Sequence, residues 1–278
     1  MIRSNDNKVI KMNPETNVII NDRCHIGKNV RFGPQCKIIE IGYGSNIGDD
    51  VYIDVPELYI GEYTTVHKGN TIHGYQPLHI GHNCWIGQSC VIDSIGGCFI
   101  GNNVGIGAYS QLWSHIKFGD TLEGCKWNSI KKLIIEDDVW FVGHSIVSPI
   151  HAKKKSMLMV GGVITKDMEE NHIYGGSPAK DLTDKLGMQF RNKSIEEKRE
   201  EFEVLYLEFL KLKGIHEKEF KIIIHESYAN YVSGDTEDNF TIYFLNERTY
   251  IPTRSEYEFQ FMKYLLYDKA KFIPTHKK

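Results

Sequence analysis

The sequence lacks any uninterrupted apolar run near the roughly 20 residues that a membrane-spanning helix needs. Its N-terminal segment, MIRSNDNKVI, has no apolar stretch of the kind that a secretory signal peptide carries. The 278 residues have a formal charge of −3, and lysine and arginine are dispersed along the chain. We therefore expect a cytoplasmic protein with no membrane span and no nucleic-acid partner.

Cysteine patterns typical of metal or disulfide sites are also missing. The six cysteines include no C-x-x-C pair, so neither a zinc site nor a disulfide framework is indicated. Five of them lie two residues before an aliphatic position of the repeat described next, where a thiol packs as a small hydrophobic group. These five are Cys24, Cys36, Cys84, Cys90 and Cys98.

A repeat dominates what the sequence does contain. The dipeptides Ile60-Gly61, Ile80-Gly81 and Ile100-Gly101 recur every 20 residues. Between them an aliphatic residue recurs every six positions: Val66, Ile72, Ile86, Ile92, Ile106 and Leu112. Three inward side chains per turn describe a triangular coil of short parallel strands. The sequence therefore predicts a mainly β protein built as a parallel β-helix.

The six-residue pattern vanishes after Gly187. A capping-box sequence at residues 194–197 then opens a helix, and two β-rich runs and a second helix follow. We predict a coil domain over residues 1–187 and a small C-terminal α+β appendage over residues 188–278.

Three segments late in the coil carry a more specific signal. They read DVWFVG from Asp138, VGGVITKD from Val160 and YGGSPAK from Tyr174. In order and spacing they resemble the D-x-V-W-I-G, V-G-A-G-S-V-V-T-K-D and G-N-P-A-K signatures of hexapeptide-repeat acyltransferases, and residues 18–182 as a whole are similar to that family. The resemblance implies that the coil is left-handed, which periodicity alone does not reveal. It also implies an enzyme that takes acetyl groups from acetyl-CoA.

The same resemblance assigns residues to the acetyl-CoA site, with no metal. The implied cofactor-binding residues are Trp140, Gly143, Gly161, Lys166, Tyr174, Ser177 and Lys180. Trp140 is expected beside the acyl group, and Tyr174 to stack on the adenine or cover the pantetheine arm. The two lysines are expected to neutralise phosphates. Ser177 departs from the asparagine that is usual in the family.

The repeat breaks once for a long excursion, residues 116–132, directly after His115. A loop of this length is costly to order unless it builds a site. In the family, a histidine at such a corner takes the proton from the acceptor as the acceptor attacks the thioester. Histidine changes charge near neutral pH, which suits that role. We predict His115 as the general base.

Acceptor-binding candidates lie around this corner or in the motif segment that follows it. They are Trp113, His73, Lys117, Trp127 and His144. His73 aligns with Asp93 and Trp113 in successive turns, an arrangement that fits either the lining of a groove or an exposed polar ladder.

The segment from Gln111 to Thr121 is more similar to O-acetyltransferases of bacterial surface glycans, including those that modify sialic acid, than to antibiotic acetyltransferases. The latter carry asparagine where this chain has Ser114. This favours a sugar hydroxyl in a capsule or lipooligosaccharide as the acceptor, with Lys117 a candidate partner for a sugar carboxylate. N-acetylation of a nucleotide-linked amino sugar is the alternative.

Three further interpretations stay open. An acyl-enzyme route through Cys125 in the excursion is one, and unchanged activity after Cys125→Ser would eliminate it. A metal-dependent lyase resembling γ-class carbonic anhydrase needs a His-x4-His pair, but none of the 12 histidines are five apart. A non-catalytic solenoid scaffold is the third. By analogy with the family, we expect a homotrimer whose sites lie between neighbouring coils.

Overall fold

A computed structural model describes residues 14–231 and 240–275. These residues form two compact units, which meet along the chain between Phe190 and Arg191. We call them the coil unit and the C-terminal unit. None of the helices in the described ranges combines the length and apolarity that crossing a bilayer requires.

The coil unit is built almost entirely from strands of two to four residues. Their bounds are β1 (Asn17–Ile20), β2 (His25–Ile26), β3 (Arg31–Phe32), β4 (Ile38–Ile41), β5 (Asn46–Ile47), β6 (Tyr52–Asp54), β7 (Glu57–Ile60), β8 (Thr65–Val66), β9 (Thr71–His73), β10 (Leu78–Ile80), β11 (Trp85–Ile86), β12 (Val91–Asp93), β13 (Cys98–Ile100), β14 (Gly105–Ile106), β15 (Gln111–Leu112), β16 (His115–Lys117), β17 (Asn128–Ile130), β18 (Leu133–Ile135), β19 (Trp140–Phe141), β20 (Ile146–Val147), β21 (His151–Ala152), β22 (Met157–Leu158), β23 (Val163–Ile164), β24 (Ile173–Gly176) and β25 (Ala179–Asp181), with a short helix α1 (Thr183–Leu186) after them.

These strands stack into three sheets, which are the faces of the coil. Face 1 runs β1-β4-β7-β10-β13-β18-β21, face 2 runs β2-β5-β8-β11-β14-β19-β22-β24-β25, and face 3 runs β3-β6-β9-β12-β15-β20-β23. Pairing within the faces is parallel, with partners one turn apart, such as Ile60, Ile80 and Ile100. Among the strands of these three faces in the described ranges, only the last pair of face 2, β24 with β25, is antiparallel. The predicted class is confirmed as a mainly β parallel β-helix with a small α+β unit after it.

The six-residue positions form the core of the coil. The following side chains are each 0% exposed: Val66, Ile72, Ile86, Ile92, Ile106 and Leu112. Burying one such side chain contributes about 1.5–3 kcal/mol, so the repeat is the main source of the coil's stability. Four of the five coil cysteines are buried, and Cys24 packs partly buried against the same core, as predicted.

In its described residues, the C-terminal unit contains two α-helices, a short 3₁₀ helix (Tyr228–Asn230) and a four-stranded sheet. Its elements are α2 (Ile195–Lys213), β26 (Ile222–His225), β27 (Thr241–Phe244), β28 (Thr249–Ile251), α3 (Glu256–Leu265) and β29 (Ile273–Pro274), with strand order β26-β27-β28-β29. The predicted capping box is confirmed, because the Ser194 hydroxyl accepts from the Glu197 N–H and the Glu197 carboxylate accepts from the Ser194 N–H. Aromatic side chains of α2 and α3 pack together, Phe209 lying 5.0 Å from Phe261 between ring centroids.

Candidate active site

The excursion from the coil is an antiparallel hairpin formed by β16 and β17. We call residues 115–130 the excursion hairpin. The chain leaves face 3 after β15 and rejoins face 1 at Leu133. The hairpin closes at its base, where the Lys131 N–H donates to the Ser114 carbonyl at 3.0 Å. His115 is therefore the first residue of the hairpin and lies at the edge of face 3.

Gly96 lets the hairpin base sit directly on the turn before it. A Cβ atom at Gly96 would lie 2.5 Å from the Ser114 carbonyl oxygen and 2.6 Å from the Lys131 carbonyl oxygen. Any side chain there would push both ends of the hairpin away from the coil. Glycine is thus required by close backbone approach.

Asp93 holds His115 from the neighbouring turn. Asp93 ends β12, is 0% exposed, and its Oδ2 lies 2.8 Å from His115 Nδ1. The side chain of His115 keeps 22% of its surface accessible. The pair therefore combines a fully enclosed carboxylate with an imidazole that reaches solvent.

The hydrogen bonds of Asp93 define the tautomer of His115. Burial raises the pKa of Asp93, but hydrogen bonds from His115, Ser114 and Ile95 outweigh it and hold that pKa below its ordinary value. An ionised carboxylate only accepts hydrogen bonds, so Nδ1 carries the proton and donates it. The neutral imidazole then has its lone pair on Nε2, the nitrogen that a general base needs to present to a substrate.

Ser114 supports the carboxylate at the same point. Its N–H and its hydroxyl donate to Asp93 Oδ2 at 2.8 and 2.7 Å. The hydroxyl oxygen also accepts from the Gly96 N–H at 2.8 Å. Oδ1 of Asp93 accepts from the Ile95 N–H at 3.1 Å. Every oxygen of this buried carboxylate is therefore satisfied.

Two predicted acceptor-binding residues lie beside the pair. The Trp113 ring is edge-on to His115 at 6.1 Å between centroids. His73 is half-buried and pairs in register with Asp93. The interpretation of His73, Asp93 and Trp113 as an exposed row of polar residues is wrong for Asp93. Asp93 is buried, and the Ser114 N–H donates to its carboxylate.

The hairpin carries two other predicted residues, which differ in position. Lys117 is opposite Asn128 and shares a hairpin face with His115, since residues two apart in a strand point the same way. Trp127 is 78% exposed near the end of the hairpin. Cys125 lies between Lys117 and Trp127 in the sequence and packs against Gly119. A Cβ atom added at Gly119 would lie 1.9 Å from Cys125 Sγ.

A second group of predicted residues lies at the edge where face 2 turns into face 3. Trp140 is 45% exposed on β19 and leans over Gly105 of the preceding turn, where an added Cβ would be 3.1 Å from Trp140 Cδ1. Gly143 and His144 form the corner after β19, and Gly161 forms the next one. Both glycines have a positive φ.

The last group lies at the end of the coil, and one of its members needs correction. Lys166, Ser177 and Lys180 are exposed. Tyr174 is only 7% exposed and belongs to the coil core, with its hydroxyl accepting from the Glu169 N–H at 2.9 Å. Its strand pairs with β22 and β25 within face 2, and its ring packs in the coil core. The predicted stacking of Tyr174 on adenine therefore does not fit.

Sequence reasoning missed Asp93 and Ser114 as partners of His115. The available signal was their spacing, because a 20-residue period puts Asp93 beside Trp113, one residue before Ser114. Nothing in a single sequence shows that this aspartate is buried.

The fold and the site together define a solenoid of six-residue repeats with an oriented histidine at the base of its one insertion within the described coil. Among the described residues, no group of three or more His, Cys, Asp or Glu side chains is arranged to hold a metal ion.

Comparisons with known proteins give matches of low identity only. No protein-family model matches the chain. The chain is 28% identical over 174 residues to the bifunctional protein GlmU of Paraburkholderia phytofirmans. The aligned segment covers 57% of this chain and 36% of that protein. It thus spans little more than a third of the length of the curated relatives that it matches.

The solved structures that match the chain include the polysialic acid O-acetyltransferase OatWY. The TM-score is 0.45 and the sequence identity is 16%, and the match covers 64% of this chain and 88% of that one. A hexapeptide-repeat acetyltransferase from Vibrio cholerae, solved with acetyl coenzyme A, has a TM-score of 0.29 and 17% identity over 60% and 70% of the two chains.

Proposed function

We propose that the protein is an acyltransferase that moves an acetyl group from acetyl-CoA to a hydroxyl of a sugar. The observation that carries this proposal is the Asp93–His115 pair at 2.8 Å, at the base of the excursion hairpin. A buried carboxylate that fixes Nδ1–H and leaves Nε2 for substrate is the arrangement that general-base catalysis needs.

The proposed reaction uses His115 twice. Nε2 takes the proton of the acceptor hydroxyl as the oxygen attacks the thioester carbonyl carbon. The C–S bond then breaks, and the imidazolium returns the proton to the leaving thiolate. Asp93 stays ionised throughout and stabilises the positive ring between the two proton transfers. Both steps are direct transfers, with no covalent enzyme intermediate.

The donor and acceptor are assigned to the two sides of face 3. Trp140, Gly143 and Gly161 at one edge, with the exposed Lys166, Ser177 and Lys180 near the end of the coil, are the proposed contacts of acetyl-CoA. Trp113, His73, Lys117 and Trp127 at the His115 edge are the proposed contacts of the acceptor. His144, which the sequence predicted as an acceptor contact, lies at the donor edge of face 3, and we assign it to the donor.

The acceptor proposal extends to a sugar of a bacterial surface glycan, with an acidic sugar such as sialic acid as the preferred form. Lys117 supports this, since its ammonium group is exposed on the same hairpin face as His115 and no described acidic side chain pairs with it. An ammonium group beside the base would attract the carboxylate of such a sugar. We further propose a homotrimer and a cytoplasmic location.

The test is mass spectrometry of sialosides, neutral surface sugars and nucleotide-linked amino sugars after incubation with acetyl-CoA. We expect an added acetyl ester on a sialoside and a fall in turnover of about 10²–10⁴ for His115→Ala. His151→Ala is the matched control, because His151 also pairs with a carboxylate, Glu136, at 2.6 Å but on face 1. Equal turnover by wild type and His115→Ala would remove the proposed base, and an amide product would replace the O-acetyl assignment.

A further inference from the structure

One corner of the coil carries a short stack of exposed rings. Tyr109 and His144 occupy equivalent corners of successive turns, because the His144 N–H donates to the Ala108 carbonyl. Their ring centroids are 5.1 Å apart and their planes differ by 23°. Tyr109 is 50% exposed, and His144 is also exposed.

The next residue in this corner column is a glycine. The Gly161 N–H donates to the Gly143 carbonyl, which aligns Gly161 with His144. A Cβ atom on Gly161 would meet nothing within 4 Å. The ring stack therefore stops at His144, and the space that a third ring would fill is open.

The backbone at these corners makes the two rings unusual. The column also contains Asp50 and Gly69, residue types that tolerate a left-handed backbone. Tyr109 and His144 adopt φ of 61° and 52° there. Tyrosine is uncommon in this region, whereas histidine is enriched there, so an exposed Tyr109 ring stacked on His144 points to a use of the pair.

We propose that the outer face of the His144 ring, over Gly161, is a binding site for a planar nucleobase, and that its occupant is the adenine of CoA. Successive turns lie about 4.8 Å apart, so a base above Gly161 continues the stack at the spacing already set by Tyr109 and His144. The site lies at the corner that follows Trp140, on the donor edge of face 3, so Trp140 is here assigned to the nucleotide end of CoA and not to the acyl group. It supplies the aromatic contact that the buried Tyr174 does not.

The assignment of adenine rests on the proposed function, whereas the nucleobase site rests on the geometry alone. A nucleotide-linked sugar would present a base with the same planar chemistry. Ligands that contain adenine, uracil or no base therefore distinguish CoA from a nucleotide-linked sugar as the occupant.

The experiment is calorimetric titration of the full chain with CoA, ADP, UDP and acetyl-pantetheine. Stacking on an aromatic side chain predicts that His144→Ala weakens CoA and ADP binding by roughly 5- to 150-fold and leaves acetyl-pantetheine unchanged. His144→Phe should retain most of the affinity. His79→Ala is the matched control, because His79 is also exposed and stacked, on Tyr59 of face 1 at 4.5 Å.

A second variant tests the open space directly. Gly161→Tyr puts the chain's own ring into the slot, and Tyr109 shows that this corner geometry accepts tyrosine. We expect Gly161→Tyr to lose ADP binding while circular dichroism and melting temperature show a folded coil.

The outcomes separate the two proposals. Unchanged ADP and CoA affinities in both His144→Ala and Gly161→Tyr would overturn the site, whether or not acetyl transfer occurs. Dependence of UDP binding alone on His144 would overturn the adenine assignment. His144-dependent ADP binding without acetyl transfer would support the nucleobase site and contradict the proposed function.

Discussion

Replacement of Asp93 by asparagine tests the proposed mechanism at its most buried group. Oδ2 of Asp93 accepts three hydrogen bonds, from Ser114 N, Ser114 Oγ and His115 Nδ1, whereas Oδ1 accepts one, from Ile95 N. The single oxygen of the introduced amide is therefore expected at the Oδ2 position. In that orientation His115 keeps its tautomer, and its Nε2 still accepts a proton.

For His115, the change in Asp93→Asn is then a loss of charge rather than of geometry, whereas the Ile95 N–H loses its acceptor because the amide nitrogen takes the Oδ1 position. The negative charge beside the forming imidazolium disappears. Hydrogen bonds to charged groups exceed neutral ones by about 1–1.5 kcal/mol, and Coulomb attraction at about 4 Å with an effective dielectric of ~20 sets an upper figure of about 4 kcal/mol. We expect kcat to fall roughly 10- to 10³-fold, and the acid limb of the pH–rate profile to move to lower pH.

The matched control is Glu136→Gln, which makes the same carboxylate-to-amide change in the His151 pair on face 1. It should leave kcat and the pH–rate profile as in wild type. The reasoning is refuted if Asp93→Asn retains wild-type kcat, or if it slows the reaction without moving the acid limb. The second result would mean that Asp93 acts only through folding.

Two further predictions concern the same cluster. Ser114→Ala removes one donor to Asp93 and leaves the partly buried Gly96 N–H without its acceptor, which should destabilise the coil by about 1–3 kcal/mol. Ser114→Ala should also move the acid limb of the pH–rate profile to higher pH, because a carboxylate that accepts fewer hydrogen bonds favours the imidazolium. The control is Ser110→Ala, which removes a buried serine from another corner and should leave the acid limb in place. Acid unfolding gives the other prediction. The pKa of Asp93 is lowered in the folded chain, so its stabilisation is complete above the unfolded value of about 3.9 and is lost as pH falls through the folded value. The difference in free energy of unfolding between wild type and Asp93→Asn should shrink as the pH falls below about 4. Tryptophan fluorescence during urea unfolding measures it in the coil unit, which holds all four tryptophans; a difference that grows as the pH falls below about 4 would contradict the sign.

The coil was predictable because its energetics repeat. A fixed period of inward aliphatic residues leaves one way to bury them, so the three faces and their register follow from sequence spacing. The helix α2 shows where periodicity stops being informative. Phe202, Phe209 and Leu212 recur at helical spacing in α2, and the first two are buried, but Leu212 in the last turn is 68% exposed.

The site was only half predictable, for reasons of burial. His115 was marked by the break in the repeat, which is a property of the sequence. Asp93 and Tyr174 were misjudged in opposite directions, since a polar residue at a corner is usually exposed and an aromatic residue beside glycines often contacts a ligand. Each outcome depends on packing that a single residue type does not reveal: Ser114 covers Asp93, and Tyr174 packs in the coil core.

Ser114 links the insertion to the proposed base. Its N–H and hydroxyl hold Asp93, its hydroxyl accepts from Gly96, and its carbonyl accepts from Lys131 at the end of the hairpin. The residue that fixes the carboxylate is thus also the residue on which the hairpin closes. A shift of the hairpin base would pull at least one of these bonds, and with it the orientation of His115. The loop proposed to bind the acceptor and the base proposed to activate it are therefore coupled through the backbone and side chain of one serine.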